Sequence, residues 1–376
     1  EALAATMSDS HVIAVAGTHG KTTTSSMVSV MMDALHKDPS FAVGSVIAGF
    51  DTNARMSTSE GERWFVAEAD ESDGSFVRYR PEIAVVTNVE PDHLDFYDTD
   101  ERVFESFNRF VGSMAPGGVL VTCADDAGAM DLAERARESG INVVTYGQSD
   151  QANVRLGNTT SEGIVCTSDL VWDFTLQEDH YQGKGKMLLK VPGIHNQLNA
   201  AASFICGLLA GEEAQTVLDA VAQFTGTDRR FTLRGEANDI KVFDDYAHHP
   251  TEVFRALEAG RTVAAGHSLY TLFQPHLFSR TREFAQEFAQ ALSTADRSYV
   301  MDIYPARELP IEGVTSRLIT DAGFSEVHYA SPEEAMEQIV RQALPGDVIM
   351  TVGAGNVTEF GPRMVELLQE KQRETE

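Results

Sequence analysis

The segment Gly17-Thr18-His19-Gly20-Lys21-Thr22-Thr23 combines glycines, a lysine and hydroxyls at a spacing that suits phosphate chemistry. It follows an apolar run at 11–17 and opens a helical stretch at 22–35. Amide N–H groups of such a turn, and the positive end of the helix behind it, hold phosphate. Lys21 is in register to reach β- and γ-phosphates, and Thr22 to hold Mg²⁺. The common phosphate-loop spacing requires glycine where this chain has Val15, so the loop is a shortened variant. Replacing Lys21 by alanine is expected to lower turnover by at least ~100-fold and to leave the fold intact.

Other polar clusters close predicted strands. The run EADESD at 68–73 reads either as a solvated acidic loop or, after the second strand of a nucleotide fold, as a place where Glu68 binds a cation through hard oxygen. NVEPDHLDFY at 88–97 puts His93 among carboxylates at a strand end, where open parallel sheets bind ligands. GIHNQLNAA at 193–201 starts a helix: Asn196 is either its cap or, with His195 and Asn199, faces a purine. DDYAHHPTE at 244–252 crowds Asp245, Tyr246 and His248 into a strand-to-helix turn. FQPHLFSRT at 273–281 supplies His276 and Arg280. Asp228-Arg229-Arg230 offers paired guanidiniums for an anion, and GAGN at 353–356 reads as a turn or an anion nest.

Strands alternating with helices must position these groups. Strands are predicted at 64–70, 82–89, 118–123 and 142–146, implying a parallel sheet covered on both faces. At 151–192 the pattern changes to short alternating runs, 171–176 and 187–191, that read as a small antiparallel insert. Helices follow at 198–209 and up to 224. A polar junction at 225–228 separates a first domain, 1–226, from a second, 227–376. In the second, alternation restarts with strands at 240–244, 268–273, 297–303, 326–329 and 347–352. The expected fold is α/β: a P-loop-type ATP-binding domain with a mostly parallel sheet, then a smaller Rossmann-like α/β domain.

The chain has 376 residues and a formal charge of −28. So acidic a surface disfavours nonspecific binding to nucleic acid or anionic membrane. Three widely spaced cysteines fit neither a zinc site nor a disulfide framework and point to a reducing cytoplasm. No apolar run approaches the ~18 residues of a membrane span, and no signal peptide is read. The start at Glu1 fits a piece of something longer.

In this order, GTHGKTTT, EADESD, DDYAHHPTE, FQPH and YPARE (304–308) resemble the Mur ligases of peptidoglycan synthesis, across almost the whole chain. The resemblance implies an ATP- and Mg²⁺-dependent, ADP-forming carboxylate–amine ligase, with UDP-N-acetylmuramate and L-alanine as substrates. It covers the family's central and carboxyl-terminal domains and not its amino-terminal UDP-binding domain. It implies nucleotide contacts from Gly17 to Thr23 and from His195, Asn196, Asn199, Arg230 and Asp245. Metal ligands would be Thr22, Glu68 and His93. Substrate contacts would be Tyr246, His248, His276 and Arg280, and the reacting groups Lys21, His93, His248 and Arg280. Several members carry a carbamylated lysine; between Lys37 and Lys184 this chain has none. Leu277 and Phe278 stand where others often carry arginine and tyrosine, leaving Arg280 for anionic substrate. An open and a closed form hinged near Gly226 are expected. The competing readings are a recycling ligase that attaches a ready-made tripeptide, a P-loop kinase or NTPase, and a nonenzymatic nucleotide-binding module.

Overall fold

The computed structural model describes residues 2–91, 94–97 and 99–375. The chain divides into two compact units, one of residues 1–161 and 165–227, the other of 162–164 and 228–376.

In the first unit the strands are β1 (His11–Ala16), β2 (Ser40–Ile47), β3 (Thr52–Arg55), β4 (Trp64–Glu68), β5 (Ile83–Val86), β6 (Val119–Cys123), β7 (Asn142–Gly147), β8 (Val154–Glu162), β9 (Val165–Leu176) and β10 (Asp179–Leu189). They form one ten-stranded sheet in the order β10-β9-β8-β7-β6-β5-β1-β4-β2-β3. Its centre is parallel: β1 pairs with β4 on one side and β5 on the other. β1 is buried from Val12 onward, as its unbroken apolar sequence requires when helices cover both faces. Phe76, Phe107 and Phe110 pack on one face; Met27, Met31, Phe204 and Phe224 pack on the other.

The antiparallel part expected at 151–192 is present, and the topology gives how it joins the main sheet. β9 and β10 are long strands paired antiparallel over 11 positions, and β8 joins β7 in parallel. The hairpin therefore continues the main sheet. Its inner residues Leu170, Trp172, Phe174, Met187 and Leu189 belong to the same core as β1. Strands β2 and β3 were not anticipated. In β2 a glycine and a serine interrupt the apolar residues, and the strand is partly exposed from Gly44 to Val46.

The second unit holds β11 (Thr232–Ala237), β12 (Ile240–Asp245), β13 (Leu269–Phe273), β14 (Arg297–Val300), β15 (Val327–Tyr329) and β16 (Val348–Val352), ordered β11-β12-β16-β13-β14-β15. β11, an unanticipated edge strand, pairs antiparallel with β12; the remaining pairs are parallel. The α/β class with mostly parallel sheets is thus as expected. Among the described residues no helix is long and apolar enough to cross a membrane.

Candidate active site

The strand order explains why motifs far apart in sequence meet. β4, β1 and β5 are neighbours, so Glu68, the 17–20 turn and residues 87–90 emerge at one carboxyl edge. The turn is bolted to that edge. Thr18 Oγ1 donates to Glu90 O (3.0 Å), His19 N–H donates to Asn88 Oδ1 (2.7 Å), and Asn88 Nδ2 donates to His19 O (3.0 Å). Gly17 has φ +130°, and a Cβ there would lie 2.1 Å from Thr87 Oγ1. Gly20, at φ +84°, caps the helix Lys21–Ala34, whose first amides face outward from the turn. Thr22 and Thr23 are buried at its first turn.

Lys21 is engaged with the protein. Its Nζ donates to Gly17 O (2.7 Å), Thr18 O (3.1 Å) and Glu71 Oε1 (2.9 Å). Burial acts to lower its pKa, but Glu71, with Asp70 and Glu68 behind it, outweighs burial and holds it above the ordinary lysine value. Glu71 is almost fully buried, and that burial pushes its carboxyl up even against Lys21. The expectation that Lys21 is dispensable to the fold is therefore corrected: it neutralises a buried carboxylate. Glu71 lies in the EADESD segment, and the pattern gave no way to tell it from Glu68; only burial separates them.

Thr22 Oγ1 donates to Glu68 Oε1 (2.8 Å), and Gly44 N–H donates to Glu68 Oε2. A hydroxyl and a carboxylate so close form the hard-oxygen donor set that suits Mg²⁺. His93 lies outside the described residues. On the helix Ile194–Leu209, Gly193 is the cap, so the capping reading of Asn196 is corrected; its Nδ2 donates to Pro192 O (2.7 Å). Asn199 packs against the turn: a Cβ on Gly20 would lie 3.1 Å from its Oδ1. His195 is half-buried at the start of the same helix.

The second unit builds another cluster by the same logic. β12, β16 and β13 are neighbours, so residues after 245, 352 and 273 share an edge. Tyr246 lies edge-on to His248 (5.2 Å between ring centres), and His248 edge-on to His276 (5.8 Å). His248 Nδ1 lies 3.0 Å from Tyr246 O, which fixes the proton on that nitrogen and leaves Nε2 as the acceptor. Burial, with Arg280 and Arg230 nearby, lowers His248 to about 4. Burial, Arg280 and Arg307 lower His276 to about 4 as well. Both rings are neutral near pH 7. Arg280 is itself buried.

The two arginines of the junction have different fates. Arg229 donates to Gly353 O (2.6 Å) and Gly355 O (3.1 Å) and pairs with buried Asp244 (3.4 Å). GAGN is thereby a turn fastened by Arg229, and Asp244 is a structural anchor shared with Thr351, Thr358 and Arg234. Arg230 makes no hydrogen bond among the described residues and lies over the Tyr246 ring, 5.4 Å from its centre. Asp245 accepts from Phe231 N–H (2.9 Å) and Ala247 N–H (2.8 Å); burial pushes it up to about 6.

Comparison with known proteins agrees with this architecture. The Mur ligase middle domain matches residues 15–207, and the Mur ligase glutamate ligase domain matches 229–355. A UDP-N-acetylmuramate–L-alanine ligase of Paenarthrobacter aurescens is 51% identical over 98% of this chain and 77% of its own length. One of Mycobacterium marinum is 44% identical over 98% of this chain and 75% of its own. The crystal structure of a UDP-N-acetylmuramate-alanine ligase from Thermotoga maritima superposes with a TM-score of 0.77 at 25% identity, over 100% of this chain and 79% of the other. A MurF ligase from the same organism, solved with ADP, shares the fold at 19% identity and a TM-score of 0.74, over 98% and 81% of the two chains. With both domain profiles matched in order and half of its residues shared with such enzymes, this chain belongs to the Mur ligase family.

Proposed function

We propose that this protein joins L-alanine to the lactyl carboxylate of UDP-N-acetylmuramate, consuming ATP and releasing ADP and phosphate. The observation that carries the reading is 51% identity, over nearly the whole chain, to an enzyme with that name. The geometry supplies the chemistry. A carboxylate is a poor electrophile, and transfer of the γ-phosphoryl group to it makes an acyl phosphate. The amine of alanine then attacks the acyl carbon, a proton leaves the nitrogen, and phosphate departs. The protein contributes position and charge.

Residues 1–226 serve as the ATP-binding domain and 227–376 as the second ligase domain. In the first, the 17–23 turn and Lys21 hold the phosphates, and His195, Asn196 and Asn199 the base. Thr22, Glu68 and His93 would hold Mg²⁺. When bound, the ion would neutralise charge on the phosphate oxygens. In the second, Arg230 and Asp245 serve the nucleotide, while Tyr246, His248, His276 and Arg280 serve the substrate. A neutral His248 with a free Nε2 can take the proton from the attacking amine. ATP and a UDP-sugar as substrates place the reaction in the cytoplasm.

The test is ADP release and product mass with UDP-N-acetylmuramate and L-alanine, glycine, L-serine or a tripeptide in competition. The expected product is the L-alanyl amide, with ADP formed only when acid and amine are both present. Preference for the tripeptide identifies a recycling ligase. ADP release without an amine identifies a kinase or NTPase. Either result overturns the proposal.

A further inference from the structure

The segment 304–308 runs beside the second unit's cluster and touches both its His276 ring and the turn and helix that carry Arg280. Leu277, between His276 and Arg280, has φ +71°, a strained value for a branched residue. The strain is held from both sides. Leu277 N–H donates to Tyr304 O (3.0 Å), Tyr304 N–H donates to Pro275 O (2.8 Å), and Leu277 O accepts from Thr281 N–H (3.1 Å) and Thr281 Oγ1 (2.8 Å). The Tyr304 ring stacks on His276, with planes 14° apart and centres 5.9 Å apart. Four residues on, Glu308 accepts from Ser279 N–H (3.0 Å) and from Ser279 Oγ. Those bonds fasten the first turn of the helix Phe278–Glu283, which carries Arg280.

We infer that Tyr304 and Glu308 are positioning residues for the amino-acid substrate: Tyr304 sets the His276 ring, Glu308 sets Arg280, and together they hold the strained Leu277 turn between them. Neither needs to touch substrate. A small α-amino acid offers few atoms to grip, so binding depends on how accurately an imidazole and a guanidinium are aimed. The inference rests on the ligase reading above.

The test is steady-state ligation with L-alanine varied at saturating ATP and UDP-N-acetylmuramate. Glu308→Gln and Tyr304→Ala are each expected to raise KM for L-alanine roughly tenfold, the scale of one charge-assisted hydrogen bond. Affinity for a nonhydrolysable ATP analogue should not change, and Tyr304→Phe, which keeps the stacked ring, should behave as the parent. An unchanged KM in both variants, or a Tyr304→Phe as impaired as Tyr304→Ala, overturns the inference. Should Tyr304→Ala not fold, a double-mutant cycle of Glu308→Gln with Ser279→Ala decides: non-additive KM effects support the role and additive ones overturn it. A second readout does not depend on the substrate. The His276 imidazole resonances should shift in Tyr304→Ala and stay in place in Tyr304→Phe. Absence of any alanyl product from the parent defeats the ligase reading, while the His276 resonances still judge the positioning.

Discussion

Lys21 Nζ lies 2.9 Å from each carboxylate oxygen of Glu71, beside the 17–20 turn. An ammonium has three protons, and Gly17 O, Thr18 O and Glu71 take all three. The residue proposed to serve the nucleotide is also the counter-ion of a buried carboxylate.

Lys21→Ala should therefore injure the fold as well as the reaction. Removing one partner of a buried pair costs about 3–5 kcal/mol, and loss of the phosphate cation should lower turnover by at least ~100-fold. The double variant Lys21→Met/Glu71→Gln should regain much of the stability and none of the activity. Thermal melts beside ADP-release assays separate the two. A Lys21→Ala melt identical to the parent's would show that the pair is not structural.

Glu68→Gln keeps the size of the side chain and halves its value to a hard cation. Its bonds with Thr22 Oγ1 and Gly44 N–H leave it tied into the site. The expected result is a rise of roughly tenfold in the Mg²⁺ concentration for half-maximal rate, since hard cations select charged oxygen. A titration of rate against free Mg²⁺ that overlays the parent's removes Glu68 from the metal site.

Gly17→Ala should abolish nucleotide binding. The new Cβ would sit 2.1 Å from Thr87 Oγ1, and φ +130° is closed to alanine. Moving Thr87 would break its bonds to Ala16 O and His19 O and so release the turn. Calorimetry with an ATP analogue checks it; an alanine variant that binds normally would mean the turn is looser than its geometry.

Acid should destabilise the second unit. His248 falls from an ordinary 6.5 to about 4, and His276 likewise. Between those values the unfolded chain binds protons that the folded chain refuses, so stability falls as pH drops through 6.5 toward 4. Asp245 works oppositely: raised from 3.8 to about 6, it favours the folded state at low pH, an advantage lost as pH rises through 6. Two groups outweigh one. Denaturant unfolding at pH 7 and pH 5 should show the loss, and His248→Gln should reduce it by about 2 kcal/mol. An equal loss in that variant would mean that His248 is not buried as a neutral ring.

The sequence by itself determined the α/β class, the family and the place of the glycine turn between strand and helix. Each rests on local signals: an apolar run entering a glycine turn, a lysine and hydroxyls in fixed register, and strands ending in polar clusters. Those signals persist because backbone conformation at such turns depends on a few adjacent residues. Tertiary structure decided what lay beyond that range. Residues 151–192 read locally as a small antiparallel insert, and they hold one; that β8 joins it to the central sheet is decided by hydrogen-bond pairing with β7, a long-range choice. Glu68 and Glu71 are the same residue type three positions apart; one faces Thr22 and the other is sealed beneath Lys21. Arg229 and Arg230 are adjacent and both lie over Tyr246, and only the fold gives Arg229 the carbonyls of Gly353 and Gly355. Burial and partner choice come from strand order, which a one-dimensional pattern does not carry, and it is burial that fixes the charge and the task of each of these side chains.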